Sequence, residues 1–342
     1  MYLSYLVKEA KYYRNLGKGH LRRMLIKFLL AKTPLSFTVN SSFYNLFYNS
    51  LIKNKGKKLN PSILQIENTN ICNARCIMCP HIYMKRKQKI MKQEQFVKIC
   101  KNVLPYSKIN LITLTGFGEP LIDKELDKKV KWINENYPSI DIDIYTNASL
   151  LNSEVTERLL KLRLHKINFS INGTEKTYKK IMGLEYERTK KNILNFLKRK
   201  KELKKIYPLT NISLMILKEN KKEINKVIDF WEDKVDSVMA YTASDWAGQL
   251  KNKRIIIKPS FKNKRWPCIA LWKNITVDVE GNVIICCRDY ESKVKFGNLL
   301  KDNYREIEKK IKIIRNKHLK NDFSIPLCNN CDNSFDSSLD WW

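Results

Sequence analysis

The sequence predicts an α/β protein in which a parallel sheet is followed by a small, cysteine-rich segment. Six short apolar runs rich in β-branched residues alternate with amphipathic stretches, a rhythm typical of repeated strand-helix units. Three of the nine cysteines lie within residues 72–79 and five lie after residue 267, and such clustering indicates metal binding in a reducing compartment. With 342 residues, 43% of them hydrophobic, and only ten Gly and ten Pro, the chain can build a large core and is not disordered or collagen-like.

Residues 1–60 are predicted to form a basic, helical N-terminal extension. They carry twelve Lys or Arg and a single acid, Glu9. Apolar residues recur at helical spacing beside basic ones between Leu21 and Leu29, which predicts a basic amphipathic helix. Two interpretations are open: the helix lies peripherally on an anionic membrane, or it packs on the main body with its charges in water.

The hydropathy and charge of the chain argue against a membrane-spanning protein and against a nucleic-acid-binding protein. No run approaches the ~18 apolar residues that a membrane-spanning helix needs, and Lys8 interrupts the apolar start of the chain. We therefore expect a cytoplasmic protein, with residues 1–60 as the one surface for peripheral membrane contact. The net charge of +31 first points to nucleic acid, but no recognition helix or aromatic-interleaved strand accompanies it. An anionic substrate is the alternative that we keep.

Residues 61–245 hold the strand-helix units. The predicted strands are 63–67, 109–115, 141–146, 166–171, 210–217 and 235–241. The predicted helices are 92–104, 123–136, 153–163, 174–204 and 221–232. In parallel α/β folds the chemistry collects at the carboxyl ends of the strands, so the segments after the strands are the candidate site.

The rest of the chain is predicted to be a linker and a small metal-bound domain. Residues 246–265 are polar and rich in lysine, as linkers are. The domain, 266–342, is predicted to contain a β-hairpin that turns at Glu280-Gly281 and a helix over 302–318. Because this segment is too small for a large core and has five cysteines, we expect a metal centre to hold it together.

A cysteine-rich loop follows the first strand, with the spacing C-x3-C-x2-C at Cys72, Cys76 and Cys79. Three thiolates on one short loop suit three irons of a four-iron, four-sulfur cluster, which leaves the fourth iron open for a substrate or cofactor. A zinc site is the alternative. It usually needs a fourth protein ligand, and the spacing of His81 is awkward for that position.

This loop, at the end of the first of six strand-helix units, resembles that of the radical S-adenosylmethionine (radical SAM) enzymes. Three later strand ends resemble the family's Gly-Gly-Glu-Pro, Thr-Asn-Gly and Ser-x-Asp-Gly motifs in the expected order: Thr115-Gly116-Phe117-Gly118-Glu119-Pro120, Tyr145-Thr146-Asn147-Ala148 and Ser170-Ile171-Asn172-Gly173. Two positions depart from the pattern, with Ala148 in place of Gly and Asn172 in place of Asp. The resemblance covers residues 61–245 and implies a partial (β/α)6 TIM-like barrel.

The resemblance also implies the cofactors and their residues. A [4Fe-4S] cluster on Cys72, Cys76 and Cys79 would bind the amino and carboxylate groups of SAM through its open iron. The implied SAM-binding residues are Met78, Gly116, Gly118, Glu119, Thr146, Asn147, Ser170 and Asn172. Among them, Glu119 would pair with the methionine ammonium, and Met78 would contact the adenine through its backbone.

The C-terminal cysteines resemble a second family pattern, the auxiliary-cluster domain called SPASM or, in shortened form, twitch. The implied ligands are Cys268, Cys286 after Gly281, Cys328 and Cys331. Four thiolates ligate every iron of one cluster, so one auxiliary iron-sulfur cluster is expected, and a structural zinc on four cysteines is the alternative. Cys287, next to a ligand, is expected to be a core residue or a hydrogen-atom donor, and which of Cys286 and Cys287 is the ligand stays open.

The resemblance implies reductive cleavage of SAM to a 5′-deoxyadenosyl radical that abstracts a substrate hydrogen. We expect dehydrogenation of a small molecule such as a sugar or aminocyclitol, or its epimerisation if Cys287 returns a hydrogen atom. The alternatives are a maturase that modifies a ribosomal peptide or protein, and a non-catalytic iron-sulfur or zinc protein. A flavodoxin- or ferredoxin-like protein is the expected reductant.

Overall fold

The computed structural model describes residues 59–250 and 265–331, together with Asn54, Gly56 and Ile255. The amphipathic helix predicted within residues 1–60 and most of the predicted linker lie outside these residues, so the membrane contact of residues 1–60 stays a prediction. Among the described residues, no helix has the length and hydropathy needed to cross a bilayer.

The six predicted strands are present in the predicted order. They are β1 Ile63–Ile66, β2 Leu111–Leu114, β3 Asp141–Thr146, β4 Lys166–Ser170, β5 Leu209–Ile216 and β6 Ser237–Thr242. Each pairs in parallel with its neighbour in the chain. The α/β fold class is thus confirmed, as an open parallel sheet of the partial-barrel type.

Helices follow the strands, as the hydrophobic periodicity indicates. They are α1 Gln93–Val103, α2 Leu126–Asn136, α3 Ser153–Leu160, α4 Glu175–Met182, α5 Tyr186–Glu202, α6 Ile224–Trp231, α7 Ala270–Lys273 and α8 Tyr304–Leu319. The predicted helix over 174–204 is in fact two, α4 and α5. Gly183 ends α4 with a φ of 67°, a left-handed conformation that glycine adopts without strain.

The two faces of the sheet differ in polarity. On one face the strand residues are buried and apolar, and Phe169 of β4 packs against Phe196 of α5 with ring centroids 5.8 Å apart. On the other face, Asn211 donates to the side-chain oxygen of Asn168 at 3.0 Å and accepts from the hydroxyl of Ser237 at 2.7 Å. The alternation places the helices on the apolar face and lines the barrel interior with polar groups.

The C-terminal segment continues the same sheet, which the sequence did not indicate. β7, Asn274–Val277, pairs in parallel with β1, and β8 Asn282–Ile284 and β9 Lys295–Asn298 then add antiparallel strands. The strand order is β6-β5-β4-β3-β2-β1-β7-β8-β9. The predicted hairpin is β7-β8, whereas β9 was not predicted.

A buried ion pair joins the two parts of the chain at the end of β1. Arg86 donates to both carboxylate oxygens of Glu67, at 2.7 and 3.0 Å, and to the carbonyl oxygen of Tyr290 at 2.6 Å. The Glu67 carboxylate also accepts from the backbone amides of Phe117 and Val279, both at 3.0 Å. One carboxylate therefore fixes the segment after β2 and the turn after β7 relative to β1.

Candidate active site and second cysteine cluster

The three cysteines after β1 lie on a loop that is fixed to the end of α4. The backbone amides of Arg75 and Ile77 donate to the carbonyl oxygens of Met182 and Ile181, at 3.0 and 2.9 Å. The thiol of Cys76 contacts the Met182 sulfur at 3.4 Å. These bonds hold the loop against the barrel independently of any bound group.

All three thiols are partly withdrawn from solvent, and this controls their protonation. Burial raises the pKa of Cys72 to about 12 and that of Cys79 to about 11, and the pKa of Cys76 lies well above its ordinary value for the same reason. Each of the three thiols interacts electrostatically with the other two. The loop therefore brings Cys72, Cys76 and Cys79 together. A metal that binds here displaces protons from the thiols.

The donor set of the cysteine loop fits a cluster. Three thiols on one loop match three irons of a four-iron cluster, whereas a structural zinc ion takes four protein ligands. The histidine next to the loop, His81, is bonded through Nε2 to the carbonyl oxygen of Asn70 at 3.0 Å. The three thiols are therefore the donor set that a [4Fe-4S] cluster with one open iron needs.

Two glycines after β2 allow the backbone to approach the cysteine loop. A Cβ on Gly118 would lie 2.2 Å from the carbonyl oxygen of Thr69, and one on Gly116 would lie 2.4 Å from the Glu67 side chain. Next to Gly118, the amide of Glu119 donates to the carbonyl oxygen of Ile71 at 2.8 Å. The Gly-Phe-Gly-Glu-Pro segment thus packs directly on the chain that enters the cysteine loop.

Glu119 connects two of the predicted motifs. Its carboxylate accepts from the Thr146 hydroxyl at 2.6 Å, from the Asn147 amide at 2.7 Å and from the Leu121 amide at 3.1 Å. Complete burial raises the pKa of Glu119 to about 7, although these three hydrogen bonds act in the opposite direction. A buried carboxylate with only donors around it is suited to pair with a cation such as the ammonium group of SAM.

Asn147 extends this network to the cysteine loop. Its side-chain amide donates to the side-chain oxygen of Asn73 at 3.0 Å, and Asn73 donates to the hydroxyl of Ser149 at 2.8 Å. Asn73 follows Cys72 directly, so the motifs after β1, β2 and β3 form one hydrogen-bonded unit. The next residue, Ala148, has a φ of 57°, so this position adopts the left-handed backbone that the family's glycine would adopt freely.

The motif after β4 reaches the loop through a methionine. Asn172 donates to the Met182 sulfur at 2.9 Å, and the same sulfur contacts Cys76. The Asn172 side-chain oxygen accepts from the amide of Met215 at 2.7 Å. Ser170 is half-buried at the end of β4 and pairs in register with Ser213 of β5. Ser170 and Asn172 lie at the same end of the barrel as Glu119, but neither of them is hydrogen-bonded to Glu119.

Met78 is tied to an aromatic cluster at the barrel end. Its carbonyl oxygen accepts from the Trp246 indole at 2.7 Å. The Trp246 ring lies 5.6 Å from that of Phe117, which in turn lies 6.1 Å from Tyr290. Trp246 and Ala247 both have positive φ, of 55° and 60°, so the chain turns sharply here, within the first residues of the segment predicted as a linker.

The five C-terminal cysteines line one cavity. Its walls comprise Cys268, Cys286, Cys287, Cys328 and Cys331, together with Ala247, Arg265, Arg288 and His318 among others. Cys286 is half-buried and Cys287 is exposed, although both line the wall. Four thiols are sufficient for every iron of a cluster, so the donor set fits an auxiliary iron-sulfur cluster with one thiol to spare. By contrast, Cys100 is buried in α1, as expected for a core residue.

The two thiol sites differ in their charged neighbours. Burial raises the pKa of Cys268, and that of Cys328 to about 12, but Arg288 opposes the rise at Cys268 and Arg265 opposes it at Cys328. At the first loop the Glu119 carboxylate adds to the rise at Cys72. The second site is therefore the more favourable environment for negative charge.

Several site residues have no recognisable sequence signal. Four residues contact a predicted motif or the cysteine cavity, yet none of them belongs to a pattern of spacing: Glu67, Arg86, Trp246 and His318. Only Asn73, which lies inside the cysteine loop, could have been singled out from its position.

Comparisons with known proteins agree with this geometry. The model of the radical SAM superfamily matches residues 66–230, and that of the SPASM iron-sulfur cluster-binding domain matches residues 268–332. A GTP 3′,8-cyclase of Clostridium botulinum is 33% identical over 126 residues, which are 36% of this chain and 38% of that protein. The tungsten-containing aldehyde ferredoxin oxidoreductase cofactor-modifying protein of Pyrococcus furiosus is 24% identical over 47% of this chain and 45% of its own length. The chain thus spans less than half of these relatives.

Solved structures share the fold at low sequence identity. BtrN in complex with AdoMet and 2-DOIA is 20% identical, with a TM-score of 0.56 over 80% of this chain and 93% of that one. Streptococcus suis SuiB bound to the precursor peptide SuiA is 15% identical, with a TM-score of 0.59 over 91% of this chain and 79% of that one.

The two matched domains imply SAM with a [4Fe-4S] cluster and an auxiliary iron-sulfur cluster, and the two cysteine sites provide the thiols for both. The chain is a member of the radical SAM superfamily with a SPASM-type cluster-binding domain at its C-terminal side.

Proposed function

We propose that this protein oxidises a small hydroxylated molecule of the sugar or aminocyclitol class by hydrogen abstraction. When bound, SAM and the first cluster would supply the hydrogen abstraction after one-electron reduction, and the auxiliary cluster would supply an acceptor for the second electron of the substrate. A flavodoxin- or ferredoxin-like protein would deliver the first electron. The net result is a hydroxyl converted to a carbonyl, with one hydrogen atom going to the deoxyadenosyl carbon, one proton to solvent and one electron to the auxiliary cluster.

The residues of the barrel end would bind and orient the cofactor. Glu119 would hold the SAM ammonium beside the loop of Cys72, Cys76 and Cys79. Thr146 and Asn147 keep that carboxylate in place through bonds of 2.6 and 2.7 Å. We assign the Met78 carbonyl, Ser170 and Asn172 to the adenosine part of SAM, and Phe117 with Trp246 to the exclusion of water.

The observation that carries the oxidation proposal is the charge around the second cysteine cavity. Five thiols line it and two arginines, Arg265 and Arg288, flank it, whereas a carboxylate flanks the first loop. Nearby cations stabilise the more negative, reduced state of a cluster. The two arginines would thereby help the auxiliary cluster to accept an electron from the substrate, as dehydrogenation requires.

The substrate class is supported by one structural comparison, because the chain covers 93% of BtrN, whose structure contains the small molecule 2-DOIA. A second candidate is peptide modification, because the fold is also shared with SuiB bound to its precursor peptide.

A substrate panel tests the proposal. The protein with both clusters is incubated anaerobically with SAM, a reductant and, in parallel, amino sugars, aminocyclitols and short peptides, and deoxyadenosine and products are measured by mass spectrometry. We expect a polyhydroxylated small molecule to raise deoxyadenosine formation at least tenfold and to lose two mass units. If only peptides stimulate the reaction, the small-molecule proposal is wrong and the maturase candidate replaces it.

Epimerisation is distinguished in the same panel by the fate of hydrogen. Cys287 is exposed at the cavity wall and is the thiol to spare, so it is the candidate hydrogen donor. In deuterated solvent an epimerase places deuterium in a product of unchanged oxidation state, and Cys287→Ala would abolish this product. Under the oxidation proposal, no deuterium enters the carbon skeleton and Cys287→Ala retains turnover.

A further inference from the structure

His318 lies in the last turn of α8 and forms part of the wall of the second cysteine cavity. Its side chain is almost fully buried, at 1% exposure. A buried imidazole must satisfy both ring nitrogens or leave one without a hydrogen-bond partner, which is costly. The two nitrogens of His318 differ in this respect.

One nitrogen fixes the tautomer of the ring. The backbone amide of Cys268 donates to Nδ1 at 3.3 Å, so Nδ1 carries a lone pair rather than a proton. A neutral imidazole with an unprotonated Nδ1 bears its proton on Nε2.

The other nitrogen is a donor without an acceptor. Nε2 is buried and has no hydrogen-bond partner among the residues that the structure describes. The neighbouring ring of Phe323, 4.9 Å away and nearly perpendicular, offers no lone pair. What the cavity offers instead is a set of cysteine thiols, and thus the position of the auxiliary cluster.

We propose that the Nε2–H group of His318 donates a hydrogen bond to a sulfur of the auxiliary cluster and thereby raises its reduction potential. The sulfides and thiolates of an iron-sulfur cluster are anionic acceptors, and hydrogen bonds to them favour the reduced state. His318 is thus a positioning and tuning residue rather than a ligand. The inference rests on the placement of the auxiliary cluster in this cavity.

Two substitutions separate the roles of the two nitrogens. His318→Asn places an amide oxygen near the position of Nδ1, which keeps the acceptor for Cys268 but removes the Nε2 donor. His318→Gln places an amide N–H group near the position of Nε2 and loses the Nδ1 acceptor. Both are made in a full chain with Cys72, Cys76 and Cys79 replaced by Ala, so that the auxiliary cluster gives the only iron-sulfur signal.

The measurement is an EPR-monitored redox titration. We expect His318→Asn to reduce the equilibrium constant for one-electron reduction about tenfold, which is about 59 mV for one electron, and His318→Gln to retain most of the original potential. Equal potentials in the Asn variant and the parent chain would overturn the proposal, and so would equal losses in both variants. Iron content is measured on each preparation. If the parent chain binds no iron, the placement of the cluster has failed rather than the role of His318.

A measurement on the unmutated histidine covers the case in which a variant loses the cluster. Electron-nuclear double resonance on the parent chain, with 15N-labelled histidine and in ordinary or heavy water, detects the nuclei next to the cluster. We expect an exchangeable proton and a weak nitrogen coupling. A strong nitrogen coupling would show that His318 is an iron ligand, and the absence of an exchangeable proton would show that it donates no bond. Either result contradicts the proposal.

Discussion

The indole nitrogen of Trp246 donates a hydrogen bond of 2.7 Å to the carbonyl oxygen of Met78 and so joins the turn after β6 to the first cysteine loop. The next residue, Ala247, lines the second cysteine cavity, and the Gln249 side chain donates to the carbonyl oxygen of Arg288 at 2.9 Å. One short turn therefore contacts the surroundings of both cysteine clusters.

Trp246→Phe is expected to tighten SAM binding about fivefold, the equivalent of one ordinary hydrogen bond. In our assignment the adenine donates to the Met78 carbonyl. This oxygen can accept two hydrogen bonds, but a donor that already occupies it competes with the second, so removing the indole strengthens the bond to adenine. The dissociation constant is measured anaerobically by calorimetry. Trp132→Phe, on the outer helix α2, is the matched control and should bind SAM like the parent chain. Weaker binding in Trp246→Phe would mean that the indole contacts the cofactor itself.

Glu119→Gln is expected to weaken SAM binding by about tenfold to a hundredfold, because a charge-assisted hydrogen bond contributes about 1.5–3 kcal/mol. The amide is nearly the same size as the carboxyl, but its NH2 group must face one of the donors that Glu119 accepts from, so urea denaturation of the variant is measured alongside. Equilibrium dialysis with the iron-loaded protein gives the affinity, and the iron content shows whether the cluster is intact. Unchanged affinity with full iron content would exclude Glu119 as the partner of the ammonium group.

Glu119 also predicts a pH dependence of stability in the metal-free chain. Its pKa is raised from 4.5 to about 7, so between these pH values the folded chain holds a proton that the unfolded chain has lost. The free energy of unfolding therefore falls as pH rises through this window, by up to about 3 kcal/mol from this group, and levels off above pH 7. Urea titrations from pH 5 to 8 should show a shallower fall in Glu119→Gln. An identical slope would refute the assignment.

His318 changes the free energy of unfolding in the opposite direction over much of the same pH range. Because its pKa is lowered from 6.5 to about 4, the unfolded chain binds more protons between these values, and stability rises with pH. His318→Asn should therefore remove a stabilising slope while Glu119→Gln removes a destabilising one. The two single variants separate contributions that partly cancel in the parent chain.

Arg86→Ala is expected to lower the free energy of unfolding by about 3–5 kcal/mol, because it leaves the buried Glu67 carboxylate without its cation. Arg158→Ala is the matched control, since its ion pair with Asp127 is partly exposed and should contribute under about 1 kcal/mol. Urea denaturation at pH 7 compares the two variants. If both variants lose the same free energy of unfolding, the buried pair of Arg86 and Glu67 contributes no more to stability than an exposed one.

Iron content should report the two cysteine sites independently. We expect about eight irons per chain, falling to about four in Cys72→Ala and to about four in Cys268→Ala. Cys268→Ala should still form deoxyadenosine from SAM but stop substrate oxidation, whereas Cys72→Ala should abolish both. Cys100→Ala, which removes a buried thiol of α1 away from both sites, should keep the full iron content. Zinc in place of iron would contradict the cluster assignment.

The sequence predicted the strand ends well because neighbouring parallel strands must end side by side. The contact of Glu119 with Thr146 and Asn147 follows from this rule, since their motifs come after β2 and β3, which are paired. Even the departure at Ala148 keeps the left-handed backbone of the motif. Local pattern and sheet geometry together were sufficient for these contacts.

Contacts between residues far apart in the sequence could not be predicted from sequence patterns. A glutamate at a strand end, such as Glu67, is usually solvated, and its burial depends on Arg86 returning to it. The unpaired nitrogen of His318 depends on how α8 packs against the residues around Cys268. The parallel pairing of β7 with β1 has no signal either, because any apolar strand could take that edge.

The pairing of β7 with β1 means that the two modules cannot be exchanged like separate domains. In a chain cut before residue 270, the backbone groups of Ile63–Ile66 would face solvent along the side that β7 occupies, and an open edge of this kind invites association with other chains. A different accessory domain grafted onto this core would therefore have to supply its own strand to pair in parallel with β1. The auxiliary domain acts as a structural closure of the catalytic sheet as well as a holder of iron.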